Sequence, residues 1–412
     1  MTGLKKALGA GIALAMAVGV SACGSSSDTG SSNSDSKEQS AKLTVWSASE
    51  DQANADSWLP KMEKAFEKAH SNYKIAWKNS VVAEGDAATT VKQDPAAAAD
   101  VYLFANDQLG TLVDSQAIGE LSDDALSQVK KQNDESMVAS VTGKDGKVYG
   151  VPYTGNTWFM YYNKSKFTAD DVKSLDAMLA KGKVALDVSN SWYLPSFYVG
   201  AGGSIFGADG TKTSDGIKLG DHAEEVTKYL VNLIANPNFV NDSKGAGLAA
   251  MKSGQADALF SGTWDASEVK KALGDNYAAI QPPSFKLDSG SYQMKAFSGS
   301  KAAAYNPNSK SPKIAAQFAA FLGSTQAQKE HFEMRSIVPS DKSLASTVSK
   351  DPAAVAQMDT ISKASVVQST LPEMANFWDP CANFGTALVN KEINQDNAGQ
   401  KTADWAASYQ KK

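Results

Sequence analysis

The residues of this sequence best suited to chemistry are one indole and two pairs of polar side chains at the ends of predicted strands. Trp264 follows a short Ser-Gly-Thr turn, where so large a ring indicates a surface that covers something. Glu50 and Asp51 follow one predicted strand, and Asn106 and Asp107 follow another. Parallel α/β sheets carry ligand groups at the carboxyl ends of their strands. A flat apolar ring beside carboxylates and amides suits a ligand with C–H faces and hydroxyl edges.

The elements that must position these side chains alternate between strand and helix. Residues 43–46 are a short apolar run typical of a buried strand, and 73–77 alternate in the manner of a second strand. Between them, 56–69 place apolar residues on one helical face. A further apolar strand is predicted at 100–104. This order predicts a β-α-β opening with a mainly parallel sheet.

The rest of the chain continues the alternation of strands and helices. We expect Trp58, Trp77 and Trp405 to be structural, because each fits the apolar side of a predicted element. Ser311-Pro312 begins a helix by cap and first-turn preferences. Further strands are predicted at 147–153 and 158–162, and further helices at 171–180, 223–235, 376–389 and 402–410.

The N-terminus predicts export and lipid attachment. Residues 1–22 combine an early lysine pair with an uncharged apolar run shorter than the roughly 20 residues of a spanning helix, which is typical of a cleaved signal peptide. The run ends in Val-Ser-Ala-Cys, which resembles the bacterial lipobox and predicts acylation of Cys23. Gly, Ser and Asp dominate the next residues, so 23–41 are expected to be the lipidated cysteine and a flexible tether. Lipid and tether together predict a place at the extracellular face of the cell membrane.

Composition excludes several classes of protein. The chain of 412 residues exceeds the ~250–300 at which one core stops growing, so two domains are expected. A net charge of -5 without a basic cluster disfavours nucleic acid. With Cys23 acylated, Cys381 has no partner for a disulfide, and we expect it to be a small buried residue. His70, His222 and His331 have no zinc spacing, and we expect them at the surface.

Several short motifs follow one another in an order found in a known family. They are the strand at 43–46, the segment 100–109, YNK at 162–164, FSGTW at 260–264, the SP…FL helix at 311–322 and NFW at 376–378. Over 42–412 this order resembles the bacterial extracellular solute-binding protein family of ABC sugar importers, the group that includes the maltose-binding protein. The resemblance implies an α/β fold of two lobes, with the chain crossing between them three times. Lobe 1 would comprise 42–152 and 297–336, and lobe 2 would comprise 153–296 and 337–412.

The resemblance also implies a set of ligand-binding residues. Trp192, Trp264 and Trp378 would be stacking platforms, and Phe104 stands where relatives carry a stacking tryptophan. Asp107 matches an aspartate that binds hydroxyl groups. Relatives have glutamates at two positions where this chain has asparagine, which leaves the identity of the ligand open. The full predicted set is Glu50, Asp51, Phe104, Asn106, Asp107, Asn156, Asn190, Trp192, Trp264, Glu373 and Trp378.

The function implied is capture of a carbohydrate of the maltose or maltooligosaccharide type. A monomer would close about a hinge and deliver the sugar to the permease subunits of an ABC importer, without cofactor, metal or catalysis. Another oligosaccharide, a polyamine or a peptide remain alternatives as ligands. A secreted glycosidase is a further alternative, although no nucleophile motif is visible and Gly200-Ala201-Gly202-Gly203 departs from the dinucleotide-binding spacing.

Overall fold

The computed structural model describes residues 38–93 and 98–410. The predicted signal peptide, Cys23 and most of the predicted tether lie outside the described residues. In the part of the chain that is described, no helix has the length and apolarity needed to cross a membrane.

Strands and helices alternate along the described chain, as the sequence patterns predict. The strands are β1 (Gln39–Ser47), β2 (Tyr73–Val81), β3 (Val101–Ala105), β4 (Val151–Asn156), β5 (Phe159–Asn163), β6 (Val184–Leu186), β7 (Ser204–Ile205), β8 (Ile217–Lys218), β9 (Phe239–Asn241), β10 (Ala258–Ser261), β11 (Tyr277–Ile280), β12 (Ser284–Leu287), β13 (Gly290–Gln293), β14 (Ala296–Tyr305) and β15 (Ser365–Val367). The helices are α1 (Trp58–Ala69), α2 (Ala87–Gln93), α3 (Leu109–Asp114), α4 (Asp123–Gln132), α5 (Glu135–Ala139), α6 (Leu175–Leu179), α7 (Pro195–Gly200), α8 (Ala223–Ala235), α9 (Ala246–Lys252), α10 (Ala266–Leu273), α11 (Pro312–Leu322), α12 (Thr325–Arg335), α13 (Ala345–Val348), α14 (Pro352–Lys363), α15 (Ala375–Val389) and α16 (Ala398–Ser408).

The first sheet has the strand order β15-β14-β3-β1-β2, with β4 also paired to β14. Strand β1 runs parallel to β2 and β3, so the predicted β-α-β opening is confirmed. Strand β14 is antiparallel to β3 and β4 and parallel to β15. The sheet is therefore mixed rather than mainly parallel, because a strand from much later in the chain inserts beside β3.

The second sheet has the order β11-β5-β10-β6-β9. Strands β6, β9 and β10 are parallel neighbours, whereas β5 is antiparallel to both β10 and β11. The hairpins β7-β8 and β12-β13 stand apart from both sheets. Each large sheet thus mixes parallel and antiparallel pairs.

The chain moves between the two sheets at short connections. It leaves the first sheet after Asn156 and enters the second at Phe159, and it returns through β14. Helix α14 later packs on β5 and β11 of the second sheet. The architecture is the predicted two-lobed α/β fold, while the lobe boundaries at 152, 296 and 336 stay predictions.

Separate apolar clusters lie on the faces of each sheet. Trp58 has no exposed surface, and its indole N–H donates to the carbonyl of Ala327 at 2.9 Å. Trp405 is buried in another cluster, whereas Trp77 is only partly buried against the cluster that holds Trp58. Cys381 is also fully buried, as expected. These side chains stabilise the lobes and leave other aromatic residues for the site.

The expected surface position of His331 is wrong. Its side chain is 2 % exposed, and its ring stacks on Trp58 with centroids 3.9 Å apart. Burial of this histidine follows from tertiary packing, because α12 lies against α1 and brings His331 to the carboxylate of Asp51.

Candidate functional site

A cleft of about 630 Å³ brings together side chains that are far apart in the sequence. Asp107 and Asn156 reach it from the first sheet, and Trp192 and Trp264 reach it from the second. Trp378 from α15 also lines it. The size lies within the ~300–1,000 Å³ typical of small-molecule sites. The three candidate indoles thus share one cleft instead of lying in separate cores.

Trp264 owes its place to the turn that follows β10. Thr263–Asp265 form one turn of 3-10 helix, which leaves the indole partly exposed. A Cβ atom on Gly262 would lie 2.1 Å from a carbon of the Trp264 ring, so only glycine leaves the ring in this position. The sequence signal of a glycine two residues before a tryptophan therefore has a steric cause.

Trp192 is held beside Trp264 by hydrogen bonds. Its backbone N–H donates to Oδ1 of Asn190 at 2.8 Å, and its indole N–H donates to Oε1 of Gln368 at 3.2 Å. The rings of Trp192 and Trp264 have centroids 5.8 Å apart and planes inclined at 37°. Two indoles at this separation present a continuous aromatic wall.

Trp378 is fixed from behind by other aromatic side chains. Its ring meets Phe297 and Phe377 edge-on, with centroid distances of 5.9 and 5.2 Å. The indole is only partly buried, which leaves surface available to the cleft. Packing behind and exposure in front suit a stacking platform.

The polar groups of the cleft stand at strand ends. Asp107 lies in a 3-10 turn directly after β3, and Nε2 of Gln108 donates to its Oδ2 at 2.7 Å. Burial raises the pKa of Asp107 to about 6, against its usual 3.8. Asn156 ends β4 and is almost buried, whereas Asn190 is exposed. The cleft therefore offers carboxylates and amides to hydroxyl groups, since Asp86, Gln108 and Gln368 line it as well.

A smaller compartment of about 240 Å³ adjoins the cleft, and both are lined by Asn156, Trp264 and Lys301. Glu50, which is exposed, and Asp51, which is buried, line this compartment as well. The two predicted carboxylates after β1 therefore lie next to the cleft and not in its larger part.

Asp51 is held by the side chains of His331 and Arg335. Its Oδ1 accepts hydrogen bonds from Nε2 of His331 at 2.9 Å and from Nη1 of Arg335 at 2.8 Å. Burial opposes ionisation of this carboxyl, but His331 and Arg335 outweigh it and lower the pKa of Asp51. A carboxylate fixed in this way has a set orientation at the wall of the smaller compartment.

Sequence reasoning missed Lys301 and Gln368, which both line the cleft. Nζ of Lys301 lies 3.4 Å from Oε2 of Glu84 and 5.7 Å from the centroid of the Trp264 ring. A signal was available for the lysine, since it is the sole charged residue of the β14 segment AFSGSKAAAY. No local pattern marks Gln368, which follows the short strand β15.

Three predicted residues do not reach the cleft. Phe104 has no exposed surface, because β3 turns its ring into the core beneath Gly150. Asn106 is equally buried: its Oδ1 accepts from the N–H of Ser300 and its Nδ2 donates to the carbonyl of Gln368. Glu373 lines neither compartment. The structure therefore places Phe104 and Asn106 in the interior behind the cleft lining, where they support the site.

The described residues contain no cluster of three or more His, Cys, Asp or Glu side chains arranged to hold a metal ion. The side chains that line the cleft can stack on a ligand through aromatic rings and can form hydrogen bonds with it, and both interactions suit the binding of a ligand.

The family model for bacterial extracellular solute-binding proteins matches residues 61–360. The chain belongs to this family, as the motif order predicted. The family is one of binding proteins, and its members act outside the cell.

Individual relatives agree with this assignment. The chain is 27% identical over 399 residues to the galactooligosaccharide-binding protein of Bacillus subtilis, covering 90% of each chain. It is 26% identical to a maltooligosaccharide ABC transporter solute-binding lipoprotein of Streptococcus pneumoniae, covering 85% of this chain and 84% of that one. A solved structure with acarbose is 44% identical, with a TM-score of 0.86, and covers 89% of this chain and 98% of that chain.

Proposed function

We propose that this protein captures an oligosaccharide of the maltooligosaccharide type in the cleft and presents it to an ABC importer. The observation that carries the proposal is the joint placement of Trp192, Trp264 and Trp378 around one space with Asp107 and Asn156 at its polar wall. Sugar rings offer C–H faces to indoles and hydroxyl edges to carboxylates and amides, so this combination matches them on both counts.

The relatives favour an oligosaccharide but differ in the sugar named. One binds maltooligosaccharides and belongs to an ABC transporter, another binds galactooligosaccharides, and a third was solved with acarbose. A galactooligosaccharide is therefore the second candidate ligand. The asparagines at positions 156 and 190, where the family pattern has glutamates, are the residues to examine for this choice.

Two other ligand or activity classes fit the cleft less well. The cleft lining holds Asp86 and Asp107, but the ammonium of Lys301 lies 5.7 Å from the Trp264 ring centroid, where it competes with a polyamine cation for the indole face. A glycosidase needs two carboxyl groups opposed across the scissile bond. Asp51 and Glu84 both line the smaller compartment, but Asp51 is paired with Arg335 and Glu84 with Lys301. Incubation with maltotetraose should leave the sugar intact, as checked by chromatography.

The proposed mechanism is closure of the lobes about the sugar. Ligand favours closure only if it contacts both lobes, and groups from both sheets line the cleft. Small-angle scattering with and without maltotetraose should show a smaller radius of gyration in the bound state. An unchanged radius at saturating sugar would argue against closure.

We further propose that Cys23 is the lipid anchor and that 24–38 tether the lobes to the outer face of the membrane, a shorter tether than the predicted 23–41 because β1 begins at Gln39. Support comes from the Val-Ser-Ala-Cys sequence and from the lipoprotein relative. Cys23→Ser should release the protein from the membrane fraction into the medium. Retention of the variant with the membrane would count against the anchor.

The decisive experiment is titration calorimetry with maltotetraose, a galactooligosaccharide and spermidine. Trp264→Ala and Trp378→Ala should each weaken sugar binding by roughly 10- to 100-fold, since burial of an aromatic side chain is worth ~1.5–3 kcal/mol. Trp77→Phe is the control, because Trp77 packs in lobe 1 away from the cleft. Unchanged affinity in both alanine variants would overturn the stacking assignment. If the protein binds spermidine and neither of the two sugars, the proposal of a sugar ligand would be wrong.

A further inference from the structure

Lys301 occupies an unusual place in the fold. It lies in β14, opposite Ala105 of β3 and Thr154 of β4, and the pairing with β4 slips by one residue between Lys301 and Ala302. The residue skipped in this pairing is Tyr153, so the bulge lies in β4, and Lys301 keeps its regular pairing with β3. The side chain of Lys301 reaches the junction of the two compartments and lines both.

The ammonium has partners on two sides. Oε2 of Glu84 lies 3.4 Å away, and Oε1 of Glu84 accepts from the hydroxyl of Tyr153 at 2.9 Å. Burial opposes ionisation of Glu84, but Lys301 and hydrogen bonds from the backbone and from Tyr153 together lower the pKa of that carboxyl. On the other side Nζ lies over the Trp264 ring, at cation–π distance. The ion pair fixes Nζ in position within reach of any ligand that docks on Trp264.

The ammonium retains donor capacity for a ligand. It carries three N–H donors, and among the residues that the structure describes Glu84 is the carboxylate that pairs with it within 4 Å. The Lys301 side chain is 22 % exposed and that of Glu84 is 10 % exposed, so the cation is the more open partner towards the cleft. Among the described residues that line the larger compartment, Lys301 is the cation.

We propose that Lys301 is a specificity-determining residue that donates a hydrogen bond to an oxygen of the sugar ring seated on Trp264, at the junction of the two compartments. This inference rests on the proposed function and adds to it a contact that the aromatic and acidic residues do not supply. A fixed ammonium beside an indole selects a ring that offers an apolar face and an oxygen acceptor at its edge.

The test is calorimetry of maltotetraose with Lys301→Met, which keeps an unbranched stem but removes the charge and the donors. Affinity should fall by roughly 10- to 100-fold, the value of a hydrogen bond from a charged donor. Lys42→Met is the matched control, because Lys42 is an exposed lysine on β1 of the same sheet. The affinity of this variant for maltotetraose should stay within about twofold of that of the unmodified protein. Equal affinity of Lys301→Met and the unmodified protein would overturn the inference.

A second variant separates binding from support of Glu84. Glu84→Gln combined with Lys301→Met leaves no unpaired carboxylate, so it should fold even if the single variant does not. The double variant should remain as weak as Lys301→Met. Affinity restored to that of the unmodified protein would mean that Lys301 acts only by neutralising Glu84, and the inference would be wrong.

The outcome for the unmodified protein distinguishes the two proposals. If it gives no heat with maltotetraose, the maltooligosaccharide function fails and the contact of Lys301 fails with it. If it binds and the variants bind equally well, the function stands and the assignment of Lys301 alone is overturned.

Discussion

The affinity of the cleft for sugar should depend on pH through Asp107. Burial raises the pKa of this carboxyl to about 6 in the free protein. A sugar hydroxyl that donates to the carboxylate favours the ionised form, so binding competes with protonation. Above pH 7 the affinity should be constant, and below pH 6 it should fall by about tenfold for each pH unit.

The perturbation that isolates this effect is Asp107→Asn. At pH 8 the amide lacks the charge of the carboxylate, so the variant should lose about 1.5–3 kcal/mol of binding free energy, or roughly 10- to 100-fold in affinity. At pH 5 most of the unmodified Asp107 is protonated, and the difference between the two proteins should shrink by about tenfold. The dependence on pH should disappear in the variant.

Calorimetry with maltotetraose at pH 5, 6, 7 and 8 and constant ionic strength measures both quantities. Asp114→Asn is the control, because Asp114 is an exposed carboxylate on α3 that pairs with Lys144 and lies outside the cleft. Its affinity should follow that of the unmodified protein at every pH. The reasoning is refuted if the unmodified protein binds equally well at pH 5 and pH 8, or if Asp107→Asn keeps the same slope.

Three further predictions concern the support of the site and the stability of the lobes. Gly262→Ala should lower sugar affinity by at least about tenfold, because the new Cβ displaces the Trp264 ring. The melting temperature should change little, because the φ of −117° at residue 262 suits alanine. Unchanged affinity in calorimetry would contradict this prediction. Asp51→Ala should lower the free energy of unfolding by about 3–5 kcal/mol in urea denaturation, because it leaves buried His331 without its carboxylate partner. A loss below about 1 kcal/mol would show that this pair contributes little to stability. Burial raises the pKa of Glu63 from 4.5 to about 7, so the folded state holds this proton more tightly than the unfolded state, and the free energy of unfolding falls as the pH rises from 4.5 to 7. In Glu63→Gln the free energy of unfolding should therefore increase by up to about 3 kcal/mol above pH 7 and should not change below pH 4.5. An increase that is independent of pH would contradict this assignment.

Much of the element order follows from local patterns in the sequence. The predicted helix at 223–235 is Ala223–Ala235, and the one predicted at 376–389 is Ala375–Val389. Both carry long apolar stripes with a helical period, which neighbouring residues alone establish. The helix predicted at 171–180 instead divides into a 3-10 turn at Asp171–Lys173 and a short helix at Leu175–Leu179, because the Ser174 backbone is extended between them.

Strand ends were less predictable from the sequence. The strand expected at 147–153 is Val151–Asn156, and the sheet partner that sets its limits is β14, about 150 residues later in the chain. Pairing with that strand carries Asn156 to the cleft. Pairing with a distant strand does not show in the local pattern of apolar residues, so the predicted strand began and ended a few residues too early.

By itself the sequence predicted an export signal, and it determined the order of strands and helices and the tryptophans and aspartate that could face a ligand, because each depends on residue type and local spacing. Only the tertiary structure decided which of these candidates meet. It turned Phe104 into the core, buried His331 against Asp51, and brought Lys301 on β14 to within 5.7 Å of the Trp264 ring centroid. The physical reason is that a side chain's exposure depends on the segments packed against it, and these come from distant parts of the chain.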